Sequence, residues 1–280
     1  MLKILIIGKK SFLGGRLKKF LENKFKISIK SHNEIKKLNT NYDVLIHLSG
    51  PDALFCENFP KKSISIRKKI TKDLLKFAKT HKVNKFIYIS TTHVYKKKHS
   101  LIDENSILEN KFYYALSHLA AEKEILKFDK KKLNTEYKIL RLANCFGYPI
   151  KKNANCWSII INNICRQVYE DNKILIHSKK NIFKDYLPIK TFCQIVEFFI
   201  KLKNNKKIIF NISTGKSLSI NYILKKINDK KKVNIIKFFN GNGLKITYSN
   251  KRLLNIKKNI KDNFDEELVN LLSFCRKKFH

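Results

Sequence analysis

Ile4-Leu5-Ile6-Ile7-Gly8-Lys9-Lys10-Ser11-Phe12-Leu13-Gly14 opens the chain with an apolar run, a glycine, a short polar turn and the start of an amphipathic stretch. The aliphatic run reads as a short strand buried on both faces. Gly8 permits the sharp turn that leaves the strand, and Gly14 lets the following helix pack close to the sheet. The backbone amides between them, from Lys10 through Ser11, Phe12 and Leu13, face outward at the positive end of a helix, where a pyrophosphate is favoured. A glycine pattern alone says little. Here it follows an apolar strand, opens a helix and is the first element of the chain, which is the context that gives it meaning.

Working outward, apolar runs alternate with longer amphipathic stretches, the pattern of βαβ units. The spacing predicts strands over 3–7, 26–30, 43–48, 85–90, 137–142, 173–176 and 208–212, and helices over 13–23, 64–81, 113–127, 157–169, 189–202 and 220–227. A polar, lysine-rich region is expected after that. The fold class is therefore α/β, a Rossmann-like doubly wound parallel sheet with a small C-terminal substrate-binding α/β region. Residues 1–150 are expected to form the nucleotide-binding domain, completed by segments from about 173–215, and 151–280 to be mainly substrate-binding. No repeat and no Pro-, Gly- or Ser-rich linker divides the chain.

Composition limits the classes of function. Hydrophobic residues make up 43% of the 280, enough for a large core and too many for a disordered chain. No apolar run reaches the roughly 18 residues needed to span a bilayer, and the N-terminus is interrupted too early for a signal peptide. Cys56, Cys145, Cys156, Cys165, Cys193 and Cys275 are scattered, with no CxxC pair and no His/Cys cluster. They read as reduced, buried thiols of a cytoplasmic protein, with neither a disulfide framework nor a metal site. The formal charge of +38 raises nucleic-acid binding. Yet only six of the sixty basic residues are arginine, and the lysines are spread among abundant Asn, Ile, Phe and Tyr, as in the product of an AT-rich genome. Base-reading proteins favour the bidentate arginine fork. The reading is a solvated lysine surface with no specific nucleic-acid partner.

After the second strand comes Ile29-Lys30-Ser31-His32-Asn33, with no carboxylate until Glu34. An acidic residue there commonly holds a ribose hydroxyl of NAD. Lys10, Lys30, Ser31 and His32 could instead face a 2′-phosphate, so NADP is favoured and NAD remains open.

Three further segments carry a family resemblance: Asp43-Val44-Leu45-Ile46-His47-Leu48-Ser49-Gly50, Tyr88-Ile89-Ser90-Thr91-Thr92-His93-Val94-Tyr95, and Tyr114-Ala115-Leu116-Ser117-His118-Leu119-Ala120-Ala121-Glu122. With the opening loop, a GxxGxxG in which Ser11 replaces the middle glycine, they resemble the extended short-chain dehydrogenase/reductases of the NAD-dependent epimerase/dehydratase family, which modify sugar nucleotides. The resemblance implies that Leu48, Ser49 and Gly50 run beside the cofactor, that Thr91 polarises a substrate oxygen, and that Tyr114 is the acid/base. Tyrosine ionises near pH 10, too high for an efficient base at neutral pH, so nearby positive charge is needed. Position 118 lies one turn along the helix, on the same face as Tyr114. The family has lysine there; this chain has His118, which can hold the nicotinamide ribose but is mostly neutral at pH 7. Ser117 and Glu122 fix the register on Tyr114 in preference to Tyr113.

The later Arg141-Leu142-Ala143-Asn144-Cys145-Phe146-Gly147, Phe183-Lys184-Asp185 and Asn211-Ile212-Ser213-Thr214-Gly215 also match family segments, so the resemblance covers about residues 1–220. It implies that Thr91, Thr92, Asn144 and Lys184 meet the substrate, a nucleotide-diphosphate sugar, with Lys184 where the family has arginine. The implied activity is a reductase or epimerase, with a 4-keto-sugar reductase favoured, in surface polysaccharide or deoxysugar biosynthesis. A dehydratase would be expected to show an acid pair after Thr91, where this chain has Thr92-His93. The alternative is a catalytically impaired nucleotide-binding protein, suggested by Ser11, His118 and Lys96. A homodimer through the 113–127 helix and its neighbour is a family expectation.

Overall fold

The structure is a computed structural model that describes residues 1–97, 99–109, 111–130, 134–151 and 154–279. Its centre is a six-stranded, wholly parallel sheet. In chain order the strands are β1 (Lys3–Ile7), β2 (Lys26–Lys30), β3 (Val44–His47), β4 (Lys85–Thr91), β5 (Glu136–Leu142) and β6 (Ile209–Ile212). Across the sheet they run β6-β5-β4-β3-β1-β2. The order turns back between β1 and β3, which leaves a crevice beyond their carboxyl ends.

The period-2 alternation of each strand divides the core in two. Ile4, Ile6, Val44, Ile46, Ile87 and Ile89 pack on one face with Phe12, Leu17 and Leu21 of helix α1 (Phe12–Leu21). Leu5, Ile7, Leu45, Phe86 and Tyr88 pack on the other with Leu74, Leu75, Ala121 and Ile125. These last come from α3 (Pro60–Thr80) and α4 (Tyr113–Asp129), which follow a short helix α2 (Ala53–Asn58) that the sequence pattern did not announce. Covering both faces is what makes the strands continuous apolar runs.

The remaining helices are α5 (Ile160–Glu170), α6 (Ile189–Lys201), α7 (Ile220–Lys230), α8 (Lys251–Leu254) and α9 (Phe264–Phe279). The α6 helix returns to the central sheet beside α1. Strand Lys173–Ile176 does not join that sheet; it pairs in parallel with Asn234–Lys237. It shares a second core with α5, α7 and α9.

Helix α9 corrects the expectation of a merely polar C-terminal region. Phe264, Leu268, Leu271, Leu272 and Cys275 recur at helical spacing and are buried, while Asp265, Glu266, Asn270 and Ser273 between them face water. Glu267 on α9 pairs with Arg16 of α1 at 3.1 Å, both nearly buried, and the Arg16 guanidinium lies over the Tyr148 ring. The end of the chain is thereby tied to the helix that opens it. All six thiols are buried and unpaired, and among the described residues no helix is long and apolar enough to cross a membrane.

Candidate active site

The turn after β1 is built from backbone. Gly8 has φ +153°, and a Cβ on it would lie 2.9 Å from Leu48 Cβ, so the ends of β1 and β3 meet at a distance that only glycine permits. A Cβ on Gly14 would lie 2.5 Å from the Gly8 carbonyl oxygen. Ser11 sits at φ −72°, ψ 136°, an ordinary extended conformation, so serine costs nothing where the family has glycine. It is the N-cap of α1: its Oγ accepts from the Gly14 amide at 3.3 Å, and its carbonyl accepts from the Gly15 amide. That leaves the Phe12 and Leu13 amides without an acceptor among the described residues, at the positive end of the helix.

Beyond β2 the geometry departs from the expectation. Glu34 folds back so that one carboxylate oxygen accepts from both the Ser31 amide (2.8 Å) and the Ser31 hydroxyl (2.6 Å). Lys9 and Lys30 approach its other oxygen at 3.5 and 3.9 Å. The Ser31 hydrogen bonds, with help from Lys9, hold the Glu34 carboxyl down to about 2. His32 is turned to Asp73 on α3, at 3.1 Å. Lys10 is exposed on the turn.

The second half of the site is built from side chains. Tyr114 and His118 stand on the same face of α4 with ring centroids 4.7 Å apart, edge to face. His93, just beyond β4, packs on Tyr114 at 6.1 Å. Tyr88 of β4 bonds His118 Nδ1 at 2.8 Å, while His118 Nε2 is buried with no partner among the described residues. Burial holds both His118 and His47 well below the usual histidine value, with neighbouring Arg67 adding to it, and holds His93 down to about 4. All three imidazoles are therefore neutral at pH 7. Burial pushes Tyr88 well above the usual tyrosine range, so its hydroxyl keeps its proton; donated to Nδ1, it leaves the His118 proton on Nε2. Burial also raises Tyr114, opposed by Arg67.

Sequence reasoning missed Arg67, Tyr88 and His93. Arg67 lies on α3, is 4% exposed, donates to Ser117 Oγ at 3.0 Å and to the Pro51 carbonyl, and holds its guanidinium 5.6 Å from the Tyr114 ring centroid. Its signal was present: it shares the inward stripe of α3 with Ser63, Thr71 and Leu74. Gly50, at φ +151°, passes directly against it.

Below the rings a buried ion pair fixes the helix. Glu122 of α4 accepts from Ser90 Oγ at 2.5 Å and from Arg141 of β5 at 2.6 and 3.1 Å. Thr91 Oγ1 accepts from the His93 amide at 3.2 Å, leaving its proton free for donation. Thr92 is buried and lies against Tyr248. Asn144 gives both its backbone and side-chain amides to the Asp185 carbonyl, each at 3.1 Å, and the Asp185 carboxylate accepts from the Thr214 and Gly215 amides at 3.0 Å. The three late motifs thus converge. Lys184 is half-buried; burial holds it below the usual lysine value and neighbouring Lys97 adds to the effect, as in a place short of negative charge.

A sequence model of the NAD dependent epimerase/dehydratase family matches residues 4–213, three-quarters of the chain. The chain belongs to that family. No curated protein matches it by sequence. Its fold is shared by solved structures of low identity. MoeE5 in complex with UDP-glucose and NAD has a TM-score of 0.84 at 14% identity, over 99% of this chain and 100% of that one. RMD from Pseudomonas aeruginosa, complexed with NADPH, has 0.84 at 19%, over 98% and 99%. UDP-glucose 4-epimerase from Thermotoga maritima, with UDP-glucose, has 0.82 at 16%, over the whole of both chains.

For an epimerase/dehydratase the implied cofactor is a nicotinamide dinucleotide, and the residues fit it. The Gly8–Gly14 cradle presents free amides where a pyrophosphate would lie, and the orphaned His118 Nε2 offers a donor where a ribose hydroxyl would lie.

Proposed function

We propose that the protein is an NAD(P)-dependent reductase or epimerase acting on a nucleotide-diphosphate sugar, with 4-keto-sugar reduction the favoured reaction. The observation that carries this reading is the pairing of Tyr114 with a buried His118 whose Nε2 lacks a partner among the described residues, together with a free-amide phosphate cradle after β1. The cofactor, when bound, supplies hydride transfer at the sugar carbon. Tyr114 holds the proton given to, or taken from, the sugar oxygen, and Thr91 donates a hydrogen bond to that oxygen. His118 orients the ribose. Lys184, in a region short of anions, takes the diphosphate, and Asn144 positions the Asp185 strand beside it.

For cofactor choice, Lys9, Lys10 and Lys30 favour a 2′-phosphate, while Glu34, bonded to Ser31, favours a free ribose diol. Three lysines against one carboxylate keep NADP as the proposed cofactor, with Glu34 limiting the preference. A place in cytoplasmic polysaccharide or deoxysugar synthesis, and a dimer through α3 and α4, belong to the same reading.

The second reading, a nucleotide-binding protein without turnover, is favoured by the neutrality of His118. Calorimetric titration of NADPH, NADH, NADP and NAD, followed by turnover assays on 4-keto sugar nucleotides and on UDP-glucose, tests both. Binding with turnover supports the enzyme, binding alone supports the second reading, and no binding of any form removes both.

A further inference from the structure

We propose that Arg67 is the electrostatic partner of Tyr114, a positioning residue that supplies from α3 the positive charge His118 cannot supply from α4. This rests on the reading of Tyr114 as the proton-handling group. The guanidinium is 4% exposed, lies 5.6 Å from the Tyr114 ring centroid and bonds Ser117, on the next turn of the same helix. Its hydrogen-bond partners, Ser117 Oγ, the Pro51 carbonyl and the Tyr88 hydroxyl, are neutral, and no carboxylate lies within ion-pair distance of it among the described residues. A buried cation without a counter-ion is costly unless a negative charge appears beside it. Loss of the Tyr114 proton to a substrate oxygen creates that charge: the O–H bond breaks, the proton passes to the sugar oxygen, and the phenolate remains next to the guanidinium.

The groups facing the cluster leave this role to Arg67. His118 and Tyr114 come from α4, His47 from β3, Tyr88 from β4, His93 from the turn after β4, and Asp52 and Cys56 from the start of α2 and from α2 itself. The three histidines are neutral at pH 7. Asp52 and Cys56 act against ionisation of Tyr114, and Arg67 is the group that favours it. Lys97 and Lys184 act on His93, on the substrate side.

The test reads the ionisation of residue 114 directly, without cofactor or sugar, so it stands or falls separately from turnover. Difluorotyrosine at position 114 ionises in an accessible pH range and is followed by fluorine NMR in the full-length chain. Arg67→Gln is expected to raise the midpoint by about one unit or more, a tenfold change in the ionisation constant. Arg67→Lys is expected to keep it within about half a unit, and His118→Lys added to Arg67→Gln to bring it back down. A merely structural Arg67, holding Pro51 to Ser117, would lower the melting temperature and leave the midpoint in place; an unmoved midpoint in folded Arg67→Gln overturns the proposal. Should Arg67→Gln not fold, Arg67→Lys carries the test, and a rise of about one unit there overturns it equally.

Discussion

The phosphate cradle follows β1 and the ring cluster gathers near the end of β4, in the same sheet, but the two are made of different materials. The cradle is backbone: two glycines, a capped helix end and free amides. Exchanging glycine for Ser11 changes little, because the position has negative φ and the hydroxyl adds a cap. The cluster is side chains: a tyrosine, neutral histidines and a buried arginine drawn from β3, β4, α3 and α4. There one departure, His118 for lysine, removes a charge that backbone cannot replace, so another side chain has to provide it. Backbone sites tolerate sequence drift, and charge-tuned sites compensate for it.

The sharpest way to break the contrast is through the cluster's support. Glu122→Ala leaves Arg141 buried without its partner and should destabilise the fold by about 3–5 kcal/mol, read as the shift in a urea melt. Tyr114→Phe should instead leave the melt unchanged and NADPH affinity nearly so, while turnover falls by about 10²–10⁴, the usual share of general acid–base catalysis. A loss of cofactor binding in that variant would mean that the tyrosine belongs to the cradle's work.

On the cradle side the effects are smaller. Ser11→Ala removes the cap and should cost about 1 kcal/mol in the same melt, whereas Ser11→Gly should cost only a few tenths. Glu34 gives the smallest expected effect and a pH signature. Its folded carboxyl is held at about 2, against 4.5 unperturbed, so its contribution is present above pH 4.5 and is lost as the pH falls toward 2. Glu34→Gln should flatten the acid limb of the stability curve and shift relative affinity from NADH toward NADPH. An unchanged NADPH/NADH ratio would show that Glu34 does not face the ribose.

Much of the fold was legible in the sequence because its signals are local. Ile4–Ile7 with Gly8 and Gly14, the alternation of strands and helices, and the Tyr114–Ser117–His118–Glu122 spacing all act over a turn or two of chain. Strand 209–212, predicted to run from 208, lies beside β5. Helix α9 was less legible: it follows a lysine-rich stretch, and the buried side of its stripe becomes plain only against α5. Strand 173–176 looked like its neighbours, yet it pairs with 234–237. Strand propensity is local, and strand partners are not.

The sequence by itself determined the α/β architecture and the family, and singled out Tyr114 as the proposed proton-handling residue, since each depends on period, turn chemistry or fixed spacing along one element. Tertiary structure alone decided which groups act on that tyrosine. Arg67 and Ser117 are fifty residues apart in the chain and 3.0 Å apart in space, and His32 meets Asp73 across forty-one. Electrostatic coupling depends on distance and burial, which are set only when α3 and α4 pack on the sheet.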